Sequence, residues 1–133
     1  MSKSKENIRP FMRIYTKHRR ITINLAAHDV LGRPPYFEFY WNDAKKLLFI
    51  SSLWNAKKGC YHIASHIYLS RRSEIVLYEE AFFSTLMEKL CWKKDINYKV
   101  FGDFIPKFNM VGFQMANPII MGAVNDENIS PNN

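Results

Sequence analysis

The chain has 133 residues, of which 47% are hydrophobic and 15% aromatic, and a formal net charge of +7. This length and composition suit one domain, or two very small ones, and exclude an intrinsically disordered regulator. No apolar run approaches the roughly 20 residues of a transmembrane helix, two cysteines are too few for a disulfide framework, and no secretory signal is visible, so we expect a cytoplasmic protein with reduced thiols.

The positive charge is concentrated at the N-terminus. Residues 1–20 contain seven basic groups and one acid, whereas the rest of the chain is nearly balanced, with 12 basic and 11 acidic groups. Such a cluster favours binding to phosphate backbones or to an acidic protein surface. The alternative is a solvated basic tail that aids solubility.

Composition along the chain predicts three segments. Residues 1–9 are polar and lysine-rich and are expected to form a flexible basic arm. A single domain is predicted over residues 10–121, followed by a flexible tail over residues 122–133. Within the domain, the loose alternation from Pro10 to Lys17 predicts an edge strand.

A first strand–helix–hairpin unit is predicted over residues 19–51. Arg20 to Ile23 alternates polar and β-branched residues, which is typical of a half-buried strand. Asn24 can cap a short helix that Gly32 ends. The two runs that follow, Tyr36 to Trp41 and Leu47 to Ser51, are separated by turn-forming residues and predict a β-hairpin.

A second unit of the same plan is predicted over residues 74–115, after one or two strands between Cys60 and Leu69. It contains a strand from Glu74 to Tyr78, a helix from Glu79 to Leu90 with one broad apolar stripe, and a hairpin formed by Ile96 to Ile105 and Phe108 to Met115. In that hairpin, Gly102 and Gly112 indicate bulges or close approaches.

These elements predict an α+β fold, mainly antiparallel β, built from two strand–helix–hairpin units. The repeat rests on pattern alone, because residue identity between the halves is low. The two units are expected to pack as an internal pseudo-dimer, and open strand edges would favour a true homodimer.

The first unit resembles the swapped-hairpin domain of the AbrB/MazE family, in which an R-I-x-I-P strand precedes a short helix that ends in Leu-Gly. Ile21 and Ile23 match the strand, Leu31 and Gly32 match the helix end, and a hairpin follows. The match covers about a quarter of the chain, Asn24 replaces the usual proline, and the hairpin is more aromatic than in the family. The resemblance implies a DNA-binding regulator or antitoxin.

Candidate metal and catalytic chemistry is sparse. Cys60, His62 and His66 form a C-x-H-x3-H pattern whose residue types ligate zinc, but a structural site needs four ligands, so a strand face with partly buried histidines is favoured. No nucleophile elbow, P-loop, zinc-protease or dinucleotide motif is present, so neither an enzyme nor a bound cofactor is expected.

Nucleic-acid binding is the function that best uses the basic cluster. We expect contacts to phosphates at the entrance of the first strand and at the equivalent place in the second unit. The residues predicted to make them are Arg13, Lys17, Arg19, Arg20, Arg33, Arg71 and Arg72.

A protein-binding module is the competing hypothesis. Small phage-encoded inhibitors of bacterial defence proteins are built on this scale, and exposed aromatic residues typically anchor such interfaces. Tyr40, Trp41 and Trp54 are the predicted anchors; Tyr40 and Trp41 are also candidates for stacking on unpaired bases.

Overall fold

The computed structural model describes residues 9–64, 74–77 and 80–121. Predictions for residues 1–8 of the N-terminal arm, His66, Arg71, Arg72 and the C-terminal tail therefore lie outside the described residues. The described elements, in chain order, are β1 (Phe11–Tyr15), β2 (Arg20–Asn24), α1 (Leu25–Val30), β3 (Tyr36–Asn42), β4 (Leu47–Leu53), β5 (Tyr61–His62), β6 (Glu74–Leu77), α2 (Glu80–Leu90), β7 (Asn97–Ile105), β8 (Met110–Gln114) and β9 (Ile119–Ile120).

The described strands form one antiparallel sheet that curls into a half-barrel. Its order is β5-β3-β4-β8-β7-β1-β2-β6, and β9 adds to β7 beside β8. The mainly antiparallel α+β fold is thereby confirmed. Both predicted units have the expected element order, with β2-α1-β3-β4 in the first and β6-α2-β7-β8 in the second.

Alternation along β1 separates a buried inner face of the sheet from a more open outer face. On β1, Met12 and Ile14 are fully buried whereas Phe11, Arg13 and Tyr15 point outward, as the period of two requires. The helices pack on the inner face, where the ring of Phe82 on α2 lies 4.8 Å from the ring of Phe39 on β3.

The prediction that β1 is an edge strand was wrong. β1 pairs with β2 on one side and with β7 on the other, so that Phe11 lies opposite Phe101. This second pairing joins segments about 90 residues apart in the sequence, and local alternation contains no signal for it. The true edges of the described sheet are the short strands β5 and β6.

The curl brings these two edges together. The hydroxyl of Tyr61 on β5 donates a hydrogen bond to the carbonyl oxygen of Val76 on β6 over 2.9 Å. This side-chain hydrogen bond connects the two edge strands of the half-barrel.

Gly32 ends α1 as predicted. Its φ of +89° lies in the left-handed region, and its N–H donates to the carbonyl oxygen of Asp29, which is the usual way in which glycine terminates a helix. The ring of Trp54 lies against Gly32. The predicted close approaches are also confirmed at Gly102 and Gly112, which face aromatic rings at short range.

α1 buries His28, an ionisable side chain in the core. Its Nε2 lies 2.8 Å from the carbonyl oxygen of Pro34, and its ring packs edge-on against Phe37 at 5.6 Å. Burial lowers the pKa of His28, although the Pro34 carbonyl and Asp29 oppose this effect and Arg33 adds to it. The fold therefore favours the neutral form of His28.

Stability is expected to fall as the pH drops below about 6.5, the pKa of an unfolded histidine. Because the folded-state pKa of His28 is lowered, protons bind preferentially to the unfolded chain, and the loss continues until the pH reaches the folded-state pKa. Urea midpoints at pH 7.5, 6.5 and 5.5 measure this effect. His28→Gln should flatten the pH dependence; a variant that keeps the slope of the parent protein would contradict the assignment.

No helix among the described residues is long and apolar enough to span a lipid bilayer.

Candidate nucleic-acid interface

Basic and aromatic side chains alternate on the outer face of β1, β2 and β7. We call this surface the basic–aromatic face and define it by Arg9, Phe11, Arg13, Tyr15, Arg20, Lys99 and Phe101. Strand register brings these residues together, because Arg13 lies opposite Lys99 across one pairing and Tyr15 lies opposite Arg20 across the other. Side chains directly opposite each other in an antiparallel pair are close neighbours.

Each ring of this face has at least one cation over it. The ammonium of Lys99 lies 4.3 Å from the ring centroid of Phe11 and 4.9 Å from that of Phe101. The guanidinium of Arg20 lies 4.7 Å from the centroid of Tyr15. These distances are within the range of cation–π attraction, so each cation is attracted to the ring beside it.

Two guanidiniums on the face approach rings in the same way. Arg9 lies 4.9 Å from the centroid of Phe101, and Arg13 lies 4.9 Å from that of Phe11. Phe11 and Phe101 themselves meet edge-on with their centroids 6.4 Å apart. The centre of the face is therefore a pair of phenyl rings surrounded by three positive charges.

Carboxylates neutralise only part of this charge. Arg9 pairs with Asp103 at 3.0 Å, and Arg13 pairs with Glu74 on β6, which also accepts a hydrogen bond from the Thr22 hydroxyl. Among the described residues, Arg20 and Lys99 have no carboxylate partner. The face thus keeps two unpaired cations, one on each side of β1.

Arg19 does not join the face, although the sequence placed it beside Arg20. Its backbone has a φ of +50° at the end of the β1–β2 turn, and this conformation directs the side chain to α2. There it pairs with Glu80, donates to the hydroxyl of Ser84 over 2.6 Å and lies 4.9 Å from the centroid of Phe83.

The ion pair between Arg19 and Glu80 shifts the pKa of both side chains. A hydrogen bond from Arg19 lowers the pKa of Glu80, and the same bond raises the pKa of Arg19. Arg19 is therefore engaged in holding the β1–β2 turn against the first turn of α2.

The other predicted basic contacts are dispersed. Lys17 is exposed on the β1–β2 turn, and Arg33 pairs with Asp29 at 2.6 Å after the end of α1. Arg71 and Arg72 lie outside the described residues. Of the predicted set, the structure brings together Arg13 and Arg20 on the basic–aromatic face.

Sequence reasoning missed five members of the face: Arg9, Phe11, Tyr15, Lys99 and Phe101. A signal was present, because Phe11, Arg13 and Tyr15 are spaced by two, as are Lys99 and Phe101, and such spacing puts them on one side of a strand. What the sequence did not contain is the pairing of β1 with β7.

The predicted aromatic anchors differ in exposure. Tyr40 is 45% exposed on the outer face of β3, and its hydroxyl donates to Glu38 over 2.9 Å, which raises the pKa of Tyr40. Trp41 points inward and packs against the core, with its indole N–H donating to Asp43 over 3.0 Å. Trp54 is 56% exposed beyond the end of β4.

The C-x-H-x3-H pattern is only partly described, because His66 lies outside the described residues. The thiol of Cys60 accepts a hydrogen bond from the N–H of Lys57, and the ring of His62 packs against Tyr36 with the centroids 5.3 Å apart. The described part of the chain contains no cluster of three or more metal-ligating side chains.

A cavity of about 330 Å³ lies between the end of α2 and residues 115–120. Buried Trp92 and Tyr98 form part of its wall, and the hydroxyl of Tyr98 accepts a hydrogen bond from the N–H of Lys93. None of the described residues that line this cavity is charged, so we take the basic–aromatic face as the candidate site.

Searches with this chain matched no protein-family model, no curated protein and no solved structure.

Proposed function

We propose that the protein binds nucleic acid without catalysing a reaction on it, and that the basic–aromatic face is the contact surface. The observation that carries the proposal is that Arg20 and Lys99, which have no carboxylate partner in the described part of the chain, lie next to three aromatic rings on one face of the sheet. Cations that have no carboxylate partner can neutralise phosphates without first breaking an ion pair.

Nucleic-acid binding is the function that the sequence suggested, but the residues that we assign to the interface differ from the predicted ones. Arg13 and Arg20 remain in the interface, and Lys99 joins them. Arg19 and Arg33 leave it, because Arg19 lies against α2 and Arg33 pairs with Asp29 of α1, so neither lies on the basic–aromatic face. A regulatory role in the cytoplasm stays part of this proposal.

The test is an anisotropy titration of labelled nucleic acid at several salt concentrations. Arg20→Gln with Lys99→Gln should weaken binding at least tenfold at about 50 mM salt and make the salt dependence shallower by roughly 0.7–0.9 for each phosphate that the variant no longer neutralises. Lys107→Gln is the matched control, because Lys107 also lies over a ring, that of Phe108 at 5.6 Å, but on the β7–β8 turn.

Arg19→Gln provides a second control. Its ion pair with Glu80 is exposed, so the variant should lose little stability and should keep its affinity. Unchanged binding in the Arg20/Lys99 variant, or loss of binding with Lys107→Gln instead, would remove the proposal.

We also propose that the two units are arranged as a pseudo-dimer. In support, their first strands, β2 and β6, pair antiparallel, and so do their last strands, β4 and β8. The resemblance to the AbrB/MazE hairpin domain fits the same plan, since a hairpin of one unit pairs with a hairpin of the other. A homodimer through β5 or β6 stays a prediction, which the molar mass in solution tests.

A protein partner is the second candidate function, and the exposed aromatic residues favour it. Tyr40, Trp54 and Phe108 are 45%, 56% and 60% exposed, and Tyr and Trp are frequent interface anchors. In this alternative the protein inhibits its target, as a phage-encoded inhibitor of a bacterial defence protein would. Capture of a target that persists at high salt and needs Tyr40 but not Lys99 would favour it over nucleic acid.

A further inference from the structure

The centre of the basic–aromatic face consists of two neighbouring phenyl rings. Phe101 is 36% exposed, and its neighbour Phe11 lies opposite it on β1. We infer that the face binds single-stranded nucleic acid in preference to duplex, with unpaired bases stacking on Phe11 and Phe101. This inference rests on the proposed function and specifies its substrate class.

The sheet is too wide for its phenyl rings to enter the major groove of a duplex. The rings of Phe11 and Phe101 belong to β1 and β7. Beyond β1 the sheet continues with β2 and β6, and beyond β7 it continues with β9 at Tyr98 and Lys99 and with β8 from Gly102 onwards. Five neighbouring strands span about 19 Å, whereas the major groove of B-DNA is about 12 Å wide and admits a helix or a two-stranded ribbon. A duplex would therefore touch the cations with its phosphates and leave the rings without a base.

An unpaired strand can use both kinds of side chain at once. Aromatic side chains on open surfaces stack with bases of any sequence, and adjacent cations follow the backbone. Lys99 now lies over both phenyl rings, at 4.3 and 4.9 Å. When a base stacks on a ring, the flexible lysine is displaced from it and becomes available to a phosphate, so that one exchange provides a stacking contact and an ionic contact.

The hydrogen-bonding residues next to the rings are largely occupied by the protein itself. The amide of Asn24 accepts from the N–H of Phe11 and donates to the carbonyl of Arg9, and Asp103 pairs with Arg9. We therefore expect stacking without base-edge recognition at this point, and hence little dependence on sequence.

The experiment compares oligo-dT, oligo-rU and a mixed-sequence duplex, each about 15 nucleotides or base pairs long, by fluorescence anisotropy. We expect at least one unpaired strand to bind about tenfold tighter than the duplex. The tighter of the two strands identifies DNA or RNA as the source of the unpaired bases.

Ring variants then separate stacking from charge. Phe101→Ala should weaken single-strand binding roughly 5- to 100-fold and leave duplex binding within about twofold. The matched control is Phe108→Ala, an exposed phenylalanine with a lysine over it that lies outside the face. Phe101→Trp should restore binding, and its added indole fluorescence should be quenched when a base stacks on it.

The outcomes distinguish this inference from the proposed function. Equal binding of duplex and single strands, lowered by Arg20→Gln with Lys99→Gln but not by Phe101→Ala, would overturn single-strand preference and keep nucleic-acid binding. Absence of binding to all three probes would overturn both.

Discussion

Gly102→Ala is expected to destabilise the protein by about 2–3 kcal/mol, the upper part of the range for overpacking a core. A Cβ atom at position 102 would lie 2.6 Å from Cε1 and 2.9 Å from Cδ1 of Phe113, distances that are shorter than van der Waals contact allows. Phe113 is fully buried and cannot swing out to solvent. Urea denaturation followed by circular dichroism measures the loss.

The reason lies in the pairing of β7 with β8, which puts Gly102 directly opposite Phe113 on the inner face. Phe113 fills the space that a side chain at position 102 would take, so its ring fits there only if residue 102 has no Cβ atom. A small gain in strand propensity on replacing glycine offsets only part of the cost.

Gly112→Ala is the matched control on the neighbouring strand. A Cβ atom there would lie 3.1 Å from Phe49, a half-buried ring on the outer face that has room to move, so the expected loss is below about 1 kcal/mol. Combining Gly102→Ala with Phe113→Leu should recover part of the stability. If Gly112→Ala cost as much as Gly102→Ala, or if Phe113→Leu gave no recovery, the proposed clash would be wrong.

Local signals predicted the elements of the fold because the chemistry that defines each one is local. The stop at Gly32 depends on one residue in a left-handed conformation, and the β3–β4 hairpin depends on a turn between two alternating runs. The apolar stripe of α2 likewise buries Phe83 and Leu86. Each of these features could be identified from no more than about 18 consecutive residues.

The candidate site could not be predicted in the same way because it depends on pairing between distant strands. Lys99 reaches Phe11 only because β7 lies next to β1, and Arg13 meets Glu74 only because β6 lies next to β2. Clustering of basic residues in the sequence suggested that Arg19 and Arg20 act together. The turn between β1 and β2 separates them instead, and sends Arg19 to α2.

Arg13→Gln is expected to lower stability by about 2 kcal/mol, because it leaves the carboxylate of Glu74 without its cation. The side chain of Glu74 is only 15% exposed, and a charge that is largely removed from water is costly when its partner is deleted. Glu74→Gln should cost less, about 1 kcal/mol, since the side chain of Arg13 is 32% exposed and can turn towards solvent.

A double-mutant cycle isolates the pair. If the two side chains act as one ionic unit, the double variant should be no less stable than Arg13→Gln alone, and the coupling free energy should be at least about 1 kcal/mol. The control cycle uses Arg9 and Asp103, an exposed pair on the same face whose coupling should stay below about 0.5 kcal/mol. Equal coupling in the two cycles would show that burial of Glu74 has no energetic consequence.

The same variants separate the two roles that we assign to Arg13, which are the ion pair with Glu74 and the contact with phosphate. Glu74→Gln removes one of the two carboxylates of the face, so it should raise affinity for nucleic acid several-fold while it lowers stability. Arg13→Gln should lower both quantities. If Arg13 had only a structural role, affinity would fall together with stability in both variants. A Glu74→Gln protein that is less stable but binds more tightly would therefore show that Arg13 makes an ionic contact with phosphate.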